Sequence, residues 1–318
     1  MKVTIGCESE CAFFDKDGHP VDTLAVLNGG IASKHHSFEG ITSDLGRSSL
    51  ELISSVCESG EQVRSSLRRC VDMIPAGYRP KFSTLAFGKR VPIAAKPRYA
   101  LVAQTLLREH PKGDQCIHMV APWASTQFHL GVPSVMDPGS VLLLNFLNNI
   151  APHARLAVLN RYGILGTEGH LDIWQGWSAP HRAPGPRWFA DAQQLENFVG
   201  TIPKVVTRRG DEWVESQDPS RLGDPESEGT IWWFARPRGA LSTIEWRPFP
   251  SLEPDQSADL AGDVLKLVHA FWEYFNAHPG ATWENPQQAE RLYRHLGHFD
   301  LVPPAPLSED KWWEMSRL

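Results

Sequence analysis

The sequence predicts a single α+β domain spanning residues 1–318. Strand-like stretches of alternating apolar and polar residues recur along the chain, helical stretches lie between them, and no internal repeat or clear linker divides it. The first strand, 2–14, includes "VTIGCESECAFF", in which Glu8 and Glu10 share one face. A second runs over 48–56. A helix over 61–74 follows from Val63, Leu67, Cys70, Val71 and Ile74 at helical spacing. A strand at 81–87 precedes a helix at 98–109 that stops before Pro111, and a strand at 125–132 comes next. An apolar helix is expected at 139–150, ended by Pro152, with a further turn or two at 153–160. Asp191 caps another helix, with Gln194 at capping-box spacing.

A strand at 202–207 is followed by 208–229, where seven acids, two prolines and several glycines predict a mobile acidic surface loop. Strands at 230–236 and 240–247 form a hairpin around Gly239. The C-terminal part, 257–318, is helical. Its longest helix, 257–277, carries Leu260, Val264, Leu267, Val268, Phe271 and Phe275 on one stripe, and a last one runs from Pro286 at its first position to Gly297 just past its end.

An apolar share of 42% and a charged share of 21% are those of an ordinary soluble globular protein. A net charge of −6 without a basic cluster argues against a nucleic-acid partner. No apolar run is long enough for a transmembrane helix, and the start does not read as a signal peptide. Five cysteines without a CxxC pair suit reduced thiols and a cytoplasmic location. Trp174, Trp177 and Trp188 fall in a loop-like region where they serve packing or line a pocket. His35 and His36 lie in a second loop, 28–44.

Three dyads and one isolated acid stand out. Glu8/Glu10, Gln127/His129 and Glu245/Arg247 each occupy one face of a strand with apolar neighbours opposite, and Glu51 stands between Leu50 and Leu52. Each alone reads as a solvated face or a surface ion pair. Together, on one sheet, they could hold Mg²⁺ or Mn²⁺, which would remove the Glu8/Glu10 repulsion, with Arg247 beside the metal to contact phosphates. Neither G-x-x-x-x-G-K-[ST] nor G-x-G-x-x-G occurs, so a nucleotide would be held by metals on a sheet.

The segments "IGCESECAFFD" (5–15), "SSLELISSVCES" (48–59), "PRY" (97–99), "STQFHLGVPS" (125–134), "LDIWQGWSAPHR" (171–182) and "IWWFARPRGALSTIEWRPFPS" (231–251) resemble, in order, the motifs of the glutamate–cysteine ligase-like carboxylate–amine ligases, distant relatives of glutamine synthetase. The resemblance implies a curved, mostly antiparallel sheet whose concave face binds ATP and two or three Mg²⁺ or Mn²⁺ ions, with helices on the convex side. It implies amide formation between a small-molecule carboxylate and an amine through an acyl phosphate. Carried over, Glu8, Glu10, Glu51, Gln127 and Glu245 are metal ligands, and His129, Gln127, Arg236 and Arg247 bind the nucleotide. Arg247 and Glu245 act in catalysis, and Arg182 contacts the substrate carboxylate or the phosphate. A homo-oligomer is compatible with this reading. Gln127 replaces the first histidine of the H-x-H pair, and Phe234 stands where Asp is common. A phosphotransferase acting on a carboxylate or guanidine, or a non-catalytic nucleotide-binding protein, is the alternative.

Overall fold

The computed structural model describes residues 3–28, 39–82, 92–109, 124–164, 181–182, 187–278 and 286–296. The alternation in the opening segment becomes a long central strand, β1 (Ile5–Asp15). A short helix α1 (Thr23–Asn28) and strand β2 (Gly40–Ser43), neither expected from the pattern, precede β3 (Ser49–Ile53). Helix α2 (Gly60–Asp72) starts where the Ser59 side chain accepts the Gln62 N–H. Strand β4 (Tyr78–Lys81) lies just before the predicted 81–87, most of which is outside the described residues. Helix α3 (Pro97–Glu109) and strand β5 (Ser125–Gly131) match expectation closely.

Helix α4 (Pro138–Tyr162) corrects the sequence reading, because Pro152 lies inside it instead of ending it. An interior proline costs about 3 kcal/mol. Ile150, Ala151, Ala154 and Val158 are buried on either side of it, and that packing carries the helix through. Helix α5 (Ala192–Gly200) has the expected Asp191 cap. The acidic stretch 208–229 is not structureless: it takes in the end of β6 (Val206–Arg209), its hairpin partner β7 (Glu212–Glu215) and a helical turn α6 (Pro225–Glu228). Its acids have structural partners. Asp224 caps α6, Glu226 accepts from Thr207 Oγ1 and the Arg208 N–H, and buried Glu228 accepts the N–H groups of Gly223 and Gly239. Strands β8 (Ala235–Arg238) and β9 (Thr243–Pro250) form the predicted hairpin a few residues late, and α7 (Pro254–Ala277) and α8 (Pro286–Leu296) follow.

The main sheet is antiparallel at every pairing, in the order β2-β3-β1-β5-β9-β8, with β4 on the far end of β1. Ile5, Cys7, Cys11 and Phe13, Leu50 and Leu52, Phe128 and Leu130, and Ile244 and Trp246 form its core face, in one cluster with the apolar residues of α2, α4 and α7. The architecture is therefore α+β, with α2, α4 and α7 packed on one face of an antiparallel sheet and α3 against the β6–β7 hairpin. The outer edge of β8 is closed by Asn148 of α4, whose side-chain amide pairs with both backbone groups of Ala235. Trp188 is partly buried against the core, a packing role; Trp174, Trp177, His35 and His36 lie outside the described residues. Cys7, Cys11, Cys57 and Cys70 are free and buried. Among the described residues no helix is long and apolar enough to cross a membrane.

Candidate functional site

Strand register decides which polar side chains can meet. Directly paired residues project from the same face of a sheet. The pairs Glu10↔Glu51, Glu8↔Gln127, His129↔Glu245 and Arg236↔Glu245 therefore set the predicted strand residues on one face, opposite the core. Arg247, two residues after Glu245, emerges there as well. It lies in an irregularity where Arg247 and Pro248 together face Gln127, between the pairs Thr126↔Phe249 and Phe128↔Trp246. Such bulges re-aim side chains. Buried Arg155 of α4 donates to the Pro248 carbonyl at 2.8 Å and so braces this one.

The face has two halves. In the first, His129 Nε2 lies 2.9 Å from Glu8 Oε1 and 3.8 Å from Glu245 Oε2. Glu245 is fully buried and clamped by guanidinium groups: Arg236 Nε at 2.9 Å, Arg238 Nη1 at 2.7 Å and Arg247 Nη1 at 3.4 Å. Burial alone would raise the Glu245 carboxyl, but Arg236, Arg238 and Arg247 hold it well below its ordinary range. Glu8 behaves alike: burial would raise it, and His129 pulls it down to about 2.

In the second half Glu10 accepts from the Gln127 side-chain amide at 2.6 Å and from the Ser125 N–H and Oγ at 2.8 and 3.0 Å. Burial and Asp44 nevertheless push Glu10 up to about 8. Glu51 is raised well above the usual carboxylate range by burial and by Glu8, Asp44 and Glu10. Lys96 closes this side, donating to the Ser43 carbonyl at 2.6 Å and sitting 5.0 Å from the centre of the Tyr99 ring.

The donor set fits divalent cations. Ligand atoms of Glu8, His129 and Glu245 lie within 4.8 Å of one another. His129 Nε2, Glu245 Oε1 and Arg247 Nη1 are buried and make close charge contacts but no hydrogen bond. Burial and neighbouring acids hold the Glu10 and Glu51 carboxyls above their ordinary range, a cost that a divalent cation would relieve. A cavity of about 450 Å³ opens next to this trio, with Glu8 and His129 in its wall.

Several assignments change. Arg182 does not reach this face: it is fully buried and donates to the Thr230 carbonyl and hydroxyl and to the Pro203 carbonyl, tying backbone segments together. Arg236 is a brace for Glu245, since its remaining donor reaches the carbonyls of Glu228 and Ile231. Gln127 donates its amide to Glu10, and His129 lies with Glu8 and Glu245 in the trio that could hold a cation. Sequence reasoning missed Arg238, Asp44 and Lys96. Arg238 had a readable signal, being two residues after Arg236 on the same strand. Asp44 and Lys96 had none, because only the docking of residues 92–96 on 43–47, through bonds such as Ala94 N–H to the Leu45 carbonyl, brings them together.

No protein-family model matches the sequence, and no curated protein matches it. Among solved structures the chain is similar to a bifunctional glutathione synthetase from Pasteurella multocida, at 14% identity and a TM-score of 0.48, over 92% of this chain and 41% of that one. It is similar to a glutamate–cysteine ligase from Francisella tularensis in complex with AMP, at 12% identity and 0.46, over 92% and 70% of the two chains. A novel glutamine synthase homolog gives 14% identity and 0.37, over 99% and 66%. The chain thus spans about two fifths of the length of the glutathione synthetase.

Proposed function

We propose that this chain is a ligase that uses ATP and a divalent cation to join a small-molecule carboxylate to an amine. The observation that carries the reading is the gathering of Glu8, Glu10, Glu51, His129, Glu245 and Arg247 on one face of the sheet, with acids at one side and guanidinium groups at the other. Glu8, His129 and Glu245 would hold one Mg²⁺ or Mn²⁺, and Glu10 with Glu51 are available to a second. Bound there, the cations would offset phosphate charge and polarise phosphoryl oxygens. Arg236 and Arg238 fix the Glu245 carboxylate in one orientation. The Arg247 guanidinium, held beside Glu245, stabilises charge on the phosphoryl group in transit.

In the proposed reaction the γ-phosphoryl group of ATP passes to a carboxylate oxygen of the substrate and ADP leaves. The amine nitrogen then attacks the acyl carbon, phosphate departs and the nitrogen loses a proton. The four free, buried thiols suit a reducing compartment such as the cytoplasm. The test is to follow ADP, phosphate and amide product over a panel of acids and amines with Mg²⁺. Phosphate release that needs both substrates supports ligation; a stable phosphorylated acid or guanidine would assign a phosphotransferase instead. Mg–ATP binding with no turnover across the panel would favour a non-catalytic protein. For a ligase, Arg247→Ala is expected to lower kcat by about 100-fold or more with little change in nucleotide affinity.

A further inference from the structure

Behind the arginines that hold Glu245 stands a second buried carboxylate. Glu228 ends the helical turn α6 in the acidic stretch 208–229, and its side chain has no exposed surface. A buried acid needs partners that offset its desolvation. Its Oε1 accepts the Gly223 N–H at 2.7 Å and the Gly239 N–H at 2.6 Å. Its Oε2 lies 3.9 Å from Arg238 Nε, and both of these atoms are buried without a hydrogen bond. Its backbone carbonyl accepts from Arg236 Nη1 at 3.0 Å. Arg236 and Arg238 are two of the three guanidinium groups around Glu245, so Glu228 meets both arms of the clamp that come from β8.

Arg238 faces two buried acids with different edges of one planar guanidinium. Its Nη1 donates to Glu245 Oε2 at 2.7 Å, while its Nε is turned to Glu228. A fork set between two carboxylates has one orientation. The Arg238 side chain is 20% exposed, so without Glu228 its Nε edge would be free to turn toward water. The backbone is shaped around the same carboxylate. Arg238 leads into the 3₁₀ turn Gly239–Leu241, and a Cβ at Gly239 would stand 2.6 Å from the Gly223 nitrogen and 3.0 Å from Glu228 Oε1. Glycine permits that close approach, and a side chain there would push the carboxylate away. Burial raises the Glu228 carboxyl, and the Gly223 and Gly239 N–H groups, Arg238 and Arg236 oppose that rise.

We propose that Glu228 is a positioning residue for the cation site: by holding Arg238 from behind, it keeps the Glu245 carboxylate oriented for a divalent cation. The proposal rests on the reading of Glu8, His129 and Glu245 as that site. Glu228 acts there through Arg238, since its own oxygens face Gly223, Gly239 and Arg238.

The test is calorimetric titration of Mn²⁺ into the whole chain, with the melting temperature measured alongside. Glu8→Gln, which takes one carboxylate from the trio, marks the binding event that belongs to it. Glu228→Gln keeps the volume and an oxygen for the two glycine N–H groups, but sets an amide donor against Arg238 Nε. It is expected to melt near wild type and to bind that Mn²⁺ about tenfold more weakly, as when an outer support of a metal ligand is lost. Arg238→Lys brings one ammonium to two carboxylates and is expected to weaken Mn²⁺ by a similar factor, which tests the same contact should Glu228→Gln not fold. In an Arg238→Gln background, Glu228→Gln is expected to change the affinity by less than about twofold, because the contact is already gone. Wild-type Mn²⁺ affinity in Glu228→Gln or in Arg238→Lys would overturn the proposal and leave the cation site standing. A loss of about tenfold that persists in the Arg238→Gln background would overturn it too, since Glu228 would then act by another route. A wild-type chain that binds no Mn²⁺, or no binding event lost in Glu8→Gln, would instead remove the cation site, and the positioning role with it.

Discussion

Glu245 is a carboxylate with no exposed surface and three guanidinium neighbours. Removing one partner from such a buried cluster leaves uncompensated charge, at about 3–5 kcal/mol. Glu245→Ala should therefore lower the melting temperature sharply as well as weaken metal-dependent nucleotide binding. Glu245→Gln, which keeps the volume and an acceptor, should melt closer to wild type yet still bind nucleotide weakly. Equal melting temperatures for wild type and Glu245→Ala would show that the arginine clamp contributes nothing. The dyad Glu245/Arg247 was legible because spacing of two on a strand puts both side chains on one face. The clamp was not, since Arg236 meets Glu245 through cross-strand register, and spacing along the chain carries no register. Gln127 illustrates the same limit: its substitution for histidine is plain in the sequence, while its bond to Glu10 depends on the β1–β5 pairing.

Elements aim these residues. The β9 irregularity holds Arg247 beside Glu245, and Arg155 supplies the donor that satisfies the Pro248 carbonyl inside it. Arg155 is almost wholly buried, and burial lowers its guanidinium to about 10. Arg155→Met keeps much of the apolar stem but leaves that carbonyl buried without a partner, at about 1–3 kcal/mol. If the bulge positions Arg247, the variant should lose kcat while its KM for ATP stays near wild type; a loss of stability with unchanged kcat would make Arg155 purely structural. The need for Arg155 was hidden by the reading of Pro152 as a helix end. Local rules stop a helix at proline, whereas burial of the flanking residues prolongs α4 far enough to deliver Arg155 beneath the sheet. The acidic stretch 208–229 misled in a similar way. Its composition is that of a solvated loop, yet Glu228 closes around the N–H groups of Gly223 and Gly239, partners that composition cannot reveal. Strands with clean alternation were by contrast readable: β5 to within a residue, and β1 and β9 to within three.

At the scale of the molecule, the site makes stability depend on pH, and the proposed cation would couple that dependence to metal. Glu8 is lowered to about 2 and Glu245 is lowered as well, so the stability they contribute is present above about pH 4.5 and is lost as pH falls through their depressed values. Glu10, pushed up to about 8, and Glu51, raised well above the usual range, have the opposite sign: their contribution is present while they are protonated and lost as pH rises through their raised values. Without metal, these four groups favour a mildly acidic optimum and a melting temperature that declines into the alkaline range. Bound between Glu10 and Glu51 as proposed, a divalent cation would replace their protons and stabilise their charged forms. The melting temperature in EDTA is thus expected to drop between about pH 5 and about pH 9, with Mg²⁺ raising it by a margin that grows with pH. Proton release on titrating Mg²⁺ into the protein near neutral pH, read by calorimetry in buffers of different ionisation enthalpy, checks the same linkage directly. A magnesium increment that is flat across the pH range, with no proton release, would mean that Glu10 and Glu51 do not share a cation, and the second metal position would have to be given up.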